Sequence, residues 1–179
     1  TTNIDPNADP VMPTLEDDDL YIGSPYAELI ILEFGCYACP YTKKAEPVVK
    51  EVLEYYDGRV AFQFKNFGIS HHEESISSAI AHSCAKDKKL EYHHKLFELQ
   101  ETLSRDTYMT IAQELGLDVP TFALCFDNDD YLYEIQSDID MGLAAGVIGT
   151  PTFFIGDEKI VGPKPFRTFK TVIDEVLEN

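Results

Sequence analysis

A chain of 179 residues suits one domain, or one domain carrying an insertion. Its formal net charge of -18 argues against nucleic acid or an anionic membrane surface as a partner. Four cysteines are too few for a disulfide-built miniprotein; they read as two pairs, Cys36 with Cys39 and Cys84 with Cys125. No apolar run approaches membrane-spanning length, and no signal-peptide pattern is present.

Residues 1–19 are polar, acidic and contain proline, and read as a flexible linker. The expectation is that they once joined the domain to a removed signal or membrane anchor. The run Leu29-Ile30-Ile31-Leu32-Glu33-Phe34 has the length and apolarity of a buried strand. Residues 40–56 then place Ala45, Val48, Val49, Val52, Leu53 and Tyr56 at helical spacing, and Asp57-Gly58 signals a turn. Residues 60–65 read as a second strand, so the front of the chain is β-α-β with a right-handed crossover and a parallel strand pair.

From about residue 73 to residue 146 the patterns are helical throughout. Ile76, Ala79, Ile80, Ser83 and Cys84 define one face, and Tyr92, Leu96, Phe97 and Leu99 another. Shorter helices are expected over 107–115 and 119–126, and a longer one over 131–145, punctuated by Gly146 and Gly149. Residues 152–155 and 159–161 around Gly156-Asp157 read as a β-hairpin. Pro165 suits the first turn of a last helix ending near Leu177. The fold class is therefore α/β: a thioredoxin-type core over 20–72 and 147–179, with an inserted all-helical domain over 73–146.

The chemistry centres on Cys36-Tyr37-Ala38-Cys39-Pro40-Tyr41-Thr42, at the strand-to-helix junction. A helix beginning at Cys36 would hold Pro40 inside it, where proline removes a hydrogen bond and clashes. With Cys39 as the N-cap, Pro40 falls at the favoured first helical position. In that register Cys39 sits where unsatisfied backbone N–H groups and the helix dipole stabilise a thiolate.

In this register the chain resembles the DsbA-like thiol–disulfide oxidoreductases of the thioredoxin superfamily. Phe34 to Pro47 is similar to that family's strand-loop-helix motif, in which Cys-Pro-aromatic-Cys opens the helix. Cys39, Pro40 and Tyr41 match its first three positions, Pro47 its helix-kinking proline and Glu33 its buried acid. Gly149-Thr150-Pro151-Thr152 resembles the cis-proline loop, and Gly162-Pro163 the turn before the last helix. Residues 81–85, Tyr92-His93 and residues 115–118 resemble the helical insertion. The family's second cysteine is replaced by Thr42, and Cys36 stands three residues ahead of Cys39 instead.

The resemblance implies a protein disulfide oxidoreductase with Cys39 as the attacking thiol. Two mechanisms are open: Cys36 resolves from the N-terminal side, or Cys39 works as a monothiol with glutathione or a similar thiol. A third reading is a thioredoxin-fold binding module in which Cys36–Cys39 is a static disulfide. Thr42 is expected to donate its hydroxyl to the Cys39 sulfur. Glu33 is the candidate proton-transfer group, with Lys65 on the neighbouring strand as a group able to keep it ionised. The residue before the cis-proline, Thr150, would offer backbone hydrogen bonds to an extended substrate. Tyr37, Tyr41 and Ile148 would add exposed apolar surface. For Cys84 and Cys125 the resemblance supports a structural disulfide; two buried free thiols are the alternative.

No cofactor is expected, because the electrons move between sulfurs. The expected partners are cysteine-containing proteins and a redox recycling partner. Nucleic acid is not among them, and a membrane would be reached only through the removed anchor. The expected location is extracytoplasmic. No metal site is expected at His71-His72, His82 and His93-His94, since helical spacing leaves them without a completing carboxylate or cysteine. The run Asp127-Asn128-Asp129-Asp130 lacks the glycine and distal Glu of a calcium loop and reads as a helix-terminating turn.

Overall fold

A computed structural model describes residues 11–16, 19–68 and 72–178. Most of the expected linker and His71 lie outside the described residues.

Five strands form one sheet in the order β1-β3-β2-β4-β5. β2 (Leu29–Gly35) and β3 (Val60–Asn66) pair in parallel across α1 (Pro40–Tyr56), as the β-α-β reading requires. β4 (Thr152–Ile155) runs antiparallel to β2, and β5 (Glu158–Val161) closes the hairpin. The edge strand β1 (Leu20–Ile22) pairs antiparallel with β3. At three residues it is too short to give the alternation by which a strand is read from sequence, and it lies beside the segment whose composition suggests a linker.

Between β3 and β4 come α2 (Ser75–Cys84), α3 (Lys89–Glu98), α4 (Arg105–Glu114), α5 (Val119–Asp127) and α6 (Leu132–Ala144). Single-turn 3-10 segments at 86–88 and 100–102 link α2 to α3 and α3 to α4. α7 (Phe166–Glu178) packs against α1 and β4. It starts one residue later than the sequence suggests: Pro165 stands just outside, its carbonyl accepting from Thr168 N–H at 2.9 Å.

The two faces of the sheet carry different groups, because side chains alternate along each strand. Phe34 packs edge-on to Phe67 and Phe154, and Gly142 of α6 lies so close to Phe34 and Phe67 that a Cβ would meet the Phe67 ring at 2.6 Å. The other face carries Ile31, Phe62, Phe64 and Phe153, with Ala45, Val49 and Val52 of α1 in the same core. β2 places Glu33 opposite Phe64 and Phe153, on this second face. Cys84 and Cys125 are disulfide-bonded, joining α2 to α5 with Cα atoms 6.0 Å apart.

Candidate active site

Cys39 is the N-cap of α1 and has extended backbone angles, with Pro40 in the first turn. Helix geometry explains the arrangement. Proline lacks the N–H that would be orphaned at this end, and its ring fixes the φ that a first turn needs. Inside the helix, Pro47 is accommodated without breaking the element, which runs on to Tyr56. The loop before α1 is a tight turn: Cys39 N–H donates to the Cys36 carbonyl at 3.0 Å. Such an i to i+3 bond holds the end Cα atoms within about 7 Å, a separation at which a disulfide can form. Both cysteines are free thiols here, and both are buried, Cys36 2% and Cys39 3% exposed.

The two sulfurs have different surroundings. Cys39 Sγ reaches the carbonyl oxygen of Thr150 at 3.5 Å. The Thr150–Pro151 peptide is cis, and Gly162 N–H donates to the Pro151 carbonyl at 2.8 Å, tying this loop to the end of the hairpin. Cys36 Sγ donates to Ser75 Oγ at 3.4 Å. Burial pushes the Cys36 thiol up, against the lowering effect of the Ser75 bond and of the Ala38 and Cys39 backbone amides; the Cys39 charge raises it further. Cys36 is thereby held as a protonated thiol.

Thr42 is fully buried, and its hydroxyl oxygen accepts the Cys36 N–H at 3.3 Å. It therefore shapes the loop that carries Cys36; no hydrogen bond joins it to the Cys39 sulfur among the described residues. Tyr41 (62% exposed) and Ile148 (87% exposed) do present apolar surface beside the site.

Tyr37 does not share that role. It is 1% exposed, its ring sits among Phe64, Phe97, His82 and His93, and its hydroxyl meets His93 Nδ1 at 2.9 Å. The turn between the cysteines directs this side chain inward, where an aromatic pocket and one polar partner satisfy both its ring and its hydroxyl. Gln100 clamps the same loop from outside, donating to the carbonyls of Tyr37 at 2.6 Å and Cys39 at 3.1 Å.

Glu33 is completely buried, and neither carboxyl oxygen has a hydrogen-bond partner among the described residues. Burial, the Glu46 charge and the Cys39 charge, in that order, hold its carboxyl well above the usual range. Such a carboxyl can give its proton to a nearby thiolate and, once ionised, take one from a thiol.

Lys65 does not attend it. The parallel register sets Lys65 beside Phe34, one position out of step with Glu33, so its ammonium emerges on the opposite face of the sheet. There it pairs with Glu16 at 2.6 Å, Asp19 at 2.7 Å and Asp138 at 3.1 Å. Side-chain period 2 makes adjacent strands a poor guide to contact until the register is known.

Sequence reasoning missed Glu46, Gln100 and Ser75, and it named His93 without finding its partners; all four are brought to the loop by packing between distant segments. Glu46 of α1 supplies the carboxylate that the histidine spacing lacked. His93 Nε2 lies 3.0 Å from Glu46 Oε2, and Glu46, His93 and His94 converge with their donor atoms within 4.8 Å of one another.

The family model described as "Thioredoxin" matches residues 15–175. Among curated proteins, the chain is similar to the Na(+)/H(+) antiporter NhaA 1 of Mycobacterium sp. (strain KMS), 26% identical over 162 residues, covering 86% of this chain and 26% of that protein. It is also similar to the Na(+)/H(+) antiporter NhaA 3 of Salinispora tropica, 27% identical over 157 residues, covering 87% and 24%. The chain thus spans about a quarter of the length of the curated relatives it matches. Among solved structures, a periplasmic thioredoxin-like protein from Salmonella enterica serovar Typhimurium is 25% identical, with a TM-score of 0.76 and 92% of each chain covered. Oxidised BdbD from Bacillus subtilis superposes with a TM-score of 0.85 at 21% identity, covering 95% and 98%. The thiol-disulfide exchange protein alpha-DsbA2 of Wolbachia pipientis gives 0.79 at 23% identity, covering 90% and 88%. The chain belongs to the thioredoxin family, and its fold, with the helical block α2 to α6 between β3 and β4, is like that of alpha-DsbA2 and BdbD.

Proposed function

We propose that the protein is a thiol–disulfide oxidoreductase that exchanges disulfides with cysteine-containing proteins through Cys39, with Cys36 as its redox partner. The observation that carries this reading is the Cys36–Cys39 turn at the N-terminus of α1, closed by the 3.0 Å bond between Cys39 N–H and the Cys36 carbonyl. The chemistry is a sequence of balanced exchanges. The Cys39 thiolate attacks one sulfur of a client disulfide, forming a mixed disulfide and expelling a client thiolate. Cys36 gives up its proton and attacks the Cys39 sulfur. The internal disulfide forms, and the second client thiol leaves. Run backwards, the same steps oxidise a client dithiol.

Glu33 is the proposed proton-transfer group for Cys36 or Cys39, giving its proton to a thiolate and taking one from a thiol once it is ionised. Thr150 and Pro151 are the proposed docking loop, where an extended client segment would lie beside Tyr41 and Ile148. The thiol-disulfide exchange described for alpha-DsbA2, and the periplasmic setting of the Salmonella protein, support an extracytoplasmic role. Among the described residues no helix is long and apolar enough to cross a membrane. The proposed units are the core over 20–72 and 147–179 and the insertion over 73–146, with α6 joining them because it packs on both β3 and α2.

Burial of both sulfurs favours a second reading, a client-binding module with a static Cys36–Cys39 disulfide. A redox titration in glutathione buffers, following each cysteine by differential alkylation and mass spectrometry, separates the two. Joint conversion of Cys36 and Cys39 above about -270 mV supports exchange, and a bond that resists reduction to below about -300 mV supports the static module. A mixed disulfide of glutathione on Cys39 alone would instead mark a monothiol enzyme.

A further inference from the structure

We infer that Glu46, His93 and His94 form a binding site for a borderline divalent cation of the Zn2+ type, wired through Tyr37 to the loop between Cys36 and Cys39. The ligand set is two imidazoles and one carboxylate, the combination that holds Zn2+ with a fourth position left for solvent or another ligand. The three side chains come from two helices: Glu46 from the middle of α1, and His93 and His94 from consecutive positions of α3. Their donor atoms all lie within 4.8 Å of one another. Ligands about 2.0–2.2 Å from a shared metal would require only local side-chain adjustment from that spacing.

Two further features point to a ligand at this place. Glu46 Oε1 is buried and has no hydrogen-bond partner among the described residues, while Oε2 of the same carboxyl already faces His93 Nε2 at 3.0 Å. An unsatisfied buried carboxylate oxygen is costly, and a cation is the partner that would satisfy it. The remaining nitrogen of His93 is occupied in the manner of a metal ligand. Nε2–H donates to Glu46 Oε2 and Nδ1 accepts from the Tyr37 hydroxyl at 2.9 Å; a cation at Nε2 would displace that proton through solvent to Nδ1, leaving Nδ1–H to donate to Tyr37 Oη. Outer-sphere bonds of this kind fix the tautomer and ring orientation of ligating histidines. His94 is exposed and gives the site its opening. His93 is buried among Phe64, Phe97 and Tyr37, which keeps that side dry.

The wiring runs through the same contacts. Tyr37 is one of the two residues between the cysteines, and its carbonyl is held by Gln100. A cation on His93 would fix the ring that holds the Tyr37 hydroxyl, and so stiffen the turn bearing both thiols.

The test is a Zn2+ titration against a chromophoric chelator. It uses the full chain carrying Cys36→Ser and Cys39→Ser, so that no free thiol competes; its outcome is thus independent of the thiol chemistry proposed above. One equivalent of Zn2+ should bind tighter than about 10 µM. His94→Ala and Glu46→Gln should each weaken it at least tenfold, and Tyr37→Phe, which touches no metal, by about tenfold through loss of the outer bond. Far-UV circular dichroism of each variant checks the fold, and His94→Ala changes only an exposed residue. Absence of stoichiometric binding below about 100 µM in the folded parent would overturn the inference. Binding that His94→Ala and Glu46→Gln leave unchanged would overturn it too, by locating the ion elsewhere.

Discussion

Cys39 Sγ and the Thr150 carbonyl oxygen lie 3.5 Å apart, joining the start of α1 to the cis-proline loop across 111 residues of sequence. The sulfur is the donor in this contact, so the bond exists only while the thiol keeps its proton. Once the proton leaves, a negative sulfur faces a negative carbonyl oxygen, and the contact turns from attractive to repulsive. Deprotonation therefore tends to release Cys39 from the loop where a client would dock. With Cys36 held protonated by burial, the proposed exchange divides its two attacks between the two thiols. Cys39→Ser should abolish disulfide exchange. Cys36→Ser should allow the first attack and stop there, accumulating a client mixed disulfide visible by intact-protein mass spectrometry. Wild-type turnover by Cys36→Ser would assign the whole reaction to Cys39.

Glu33 yields a prediction in pH. Its folded-state carboxyl titrates well above its ordinary value because burial, then the Glu46 and Cys39 charges, oppose ionisation. Between the unfolded and folded values, the native state binds a proton that the unfolded state has lost. The stability that Glu33 contributes is therefore present at low pH and declines as pH rises through this window. Glu33→Gln keeps the shape and removes the titration. It should match the parent near pH 4 and become progressively more stable than it toward pH 8, as measured by urea melts at each pH. Activity should move the other way: loss of the proposed proton-transfer group should slow exchange by roughly 10²-fold. A constant stability difference across this range would show that Glu33 ionises normally.

The register of α1 was legible because proline is so particular about helix position: Pro40 alone decides that Cys39, not Cys36, caps α1. The β-α-β and hairpin segments were legible from apolar runs and turn residues. Hidden from the sequence was everything set by contacts between distant elements. Glu33 and Lys65 look like neighbours until the register with Phe34 separates them by the thickness of the sheet. Tyr37 reads as exposed because loop aromatics often are, and only the converging His82, His93, Phe64 and Phe97 turn it inward. Glu46 has no sequence signature; it matters because α1 passes α3 at His93.

The Cys84–Cys125 bridge closes a separation of 41 residues between α2 and α5. In the chain-entropy description a loop of that size contributes about 4 kcal/mol by restricting the unfolded chain. Replacing both cysteines with Ala should lower unfolding stability by about that amount, read from urea melts with the parent kept oxidised. Because the bridge lies away from Cys36 and Cys39, the rate of disulfide exchange below the melting transition should stay near that of the parent. A large loss of exchange in the folded variant would give this bridge a part in the chemistry.

Lys65 is the most demanding group in the core, a fully buried ammonium held by Glu16, Asp19 and Asp138. Burial works against its charge, but the bonds to Asp19 and Glu16 and the Asp138 charge outweigh burial and raise its pKa. The carboxylates depend on it in turn. Burial pushes Asp19 up to about 7 even though the Lys65 bond and charge pull it down, and Asp138 is also raised by burial despite Lys65. Asp138 has a second duty, accepting the Asn66 N–H at 3.1 Å, so it ties α6 to the end of β3. Lys65→Met fills the volume and strands the acids, which should cost about 3–5 kcal/mol at neutral pH. The sign of its pH dependence identifies the cause. Without the ammonium the carboxyls are comfortable only when protonated, so the loss should be smallest near pH 4 and grow toward pH 8. A loss that is the same at both pH values would mean that packing around the lysine stem, rather than its charge, holds this corner of the sheet.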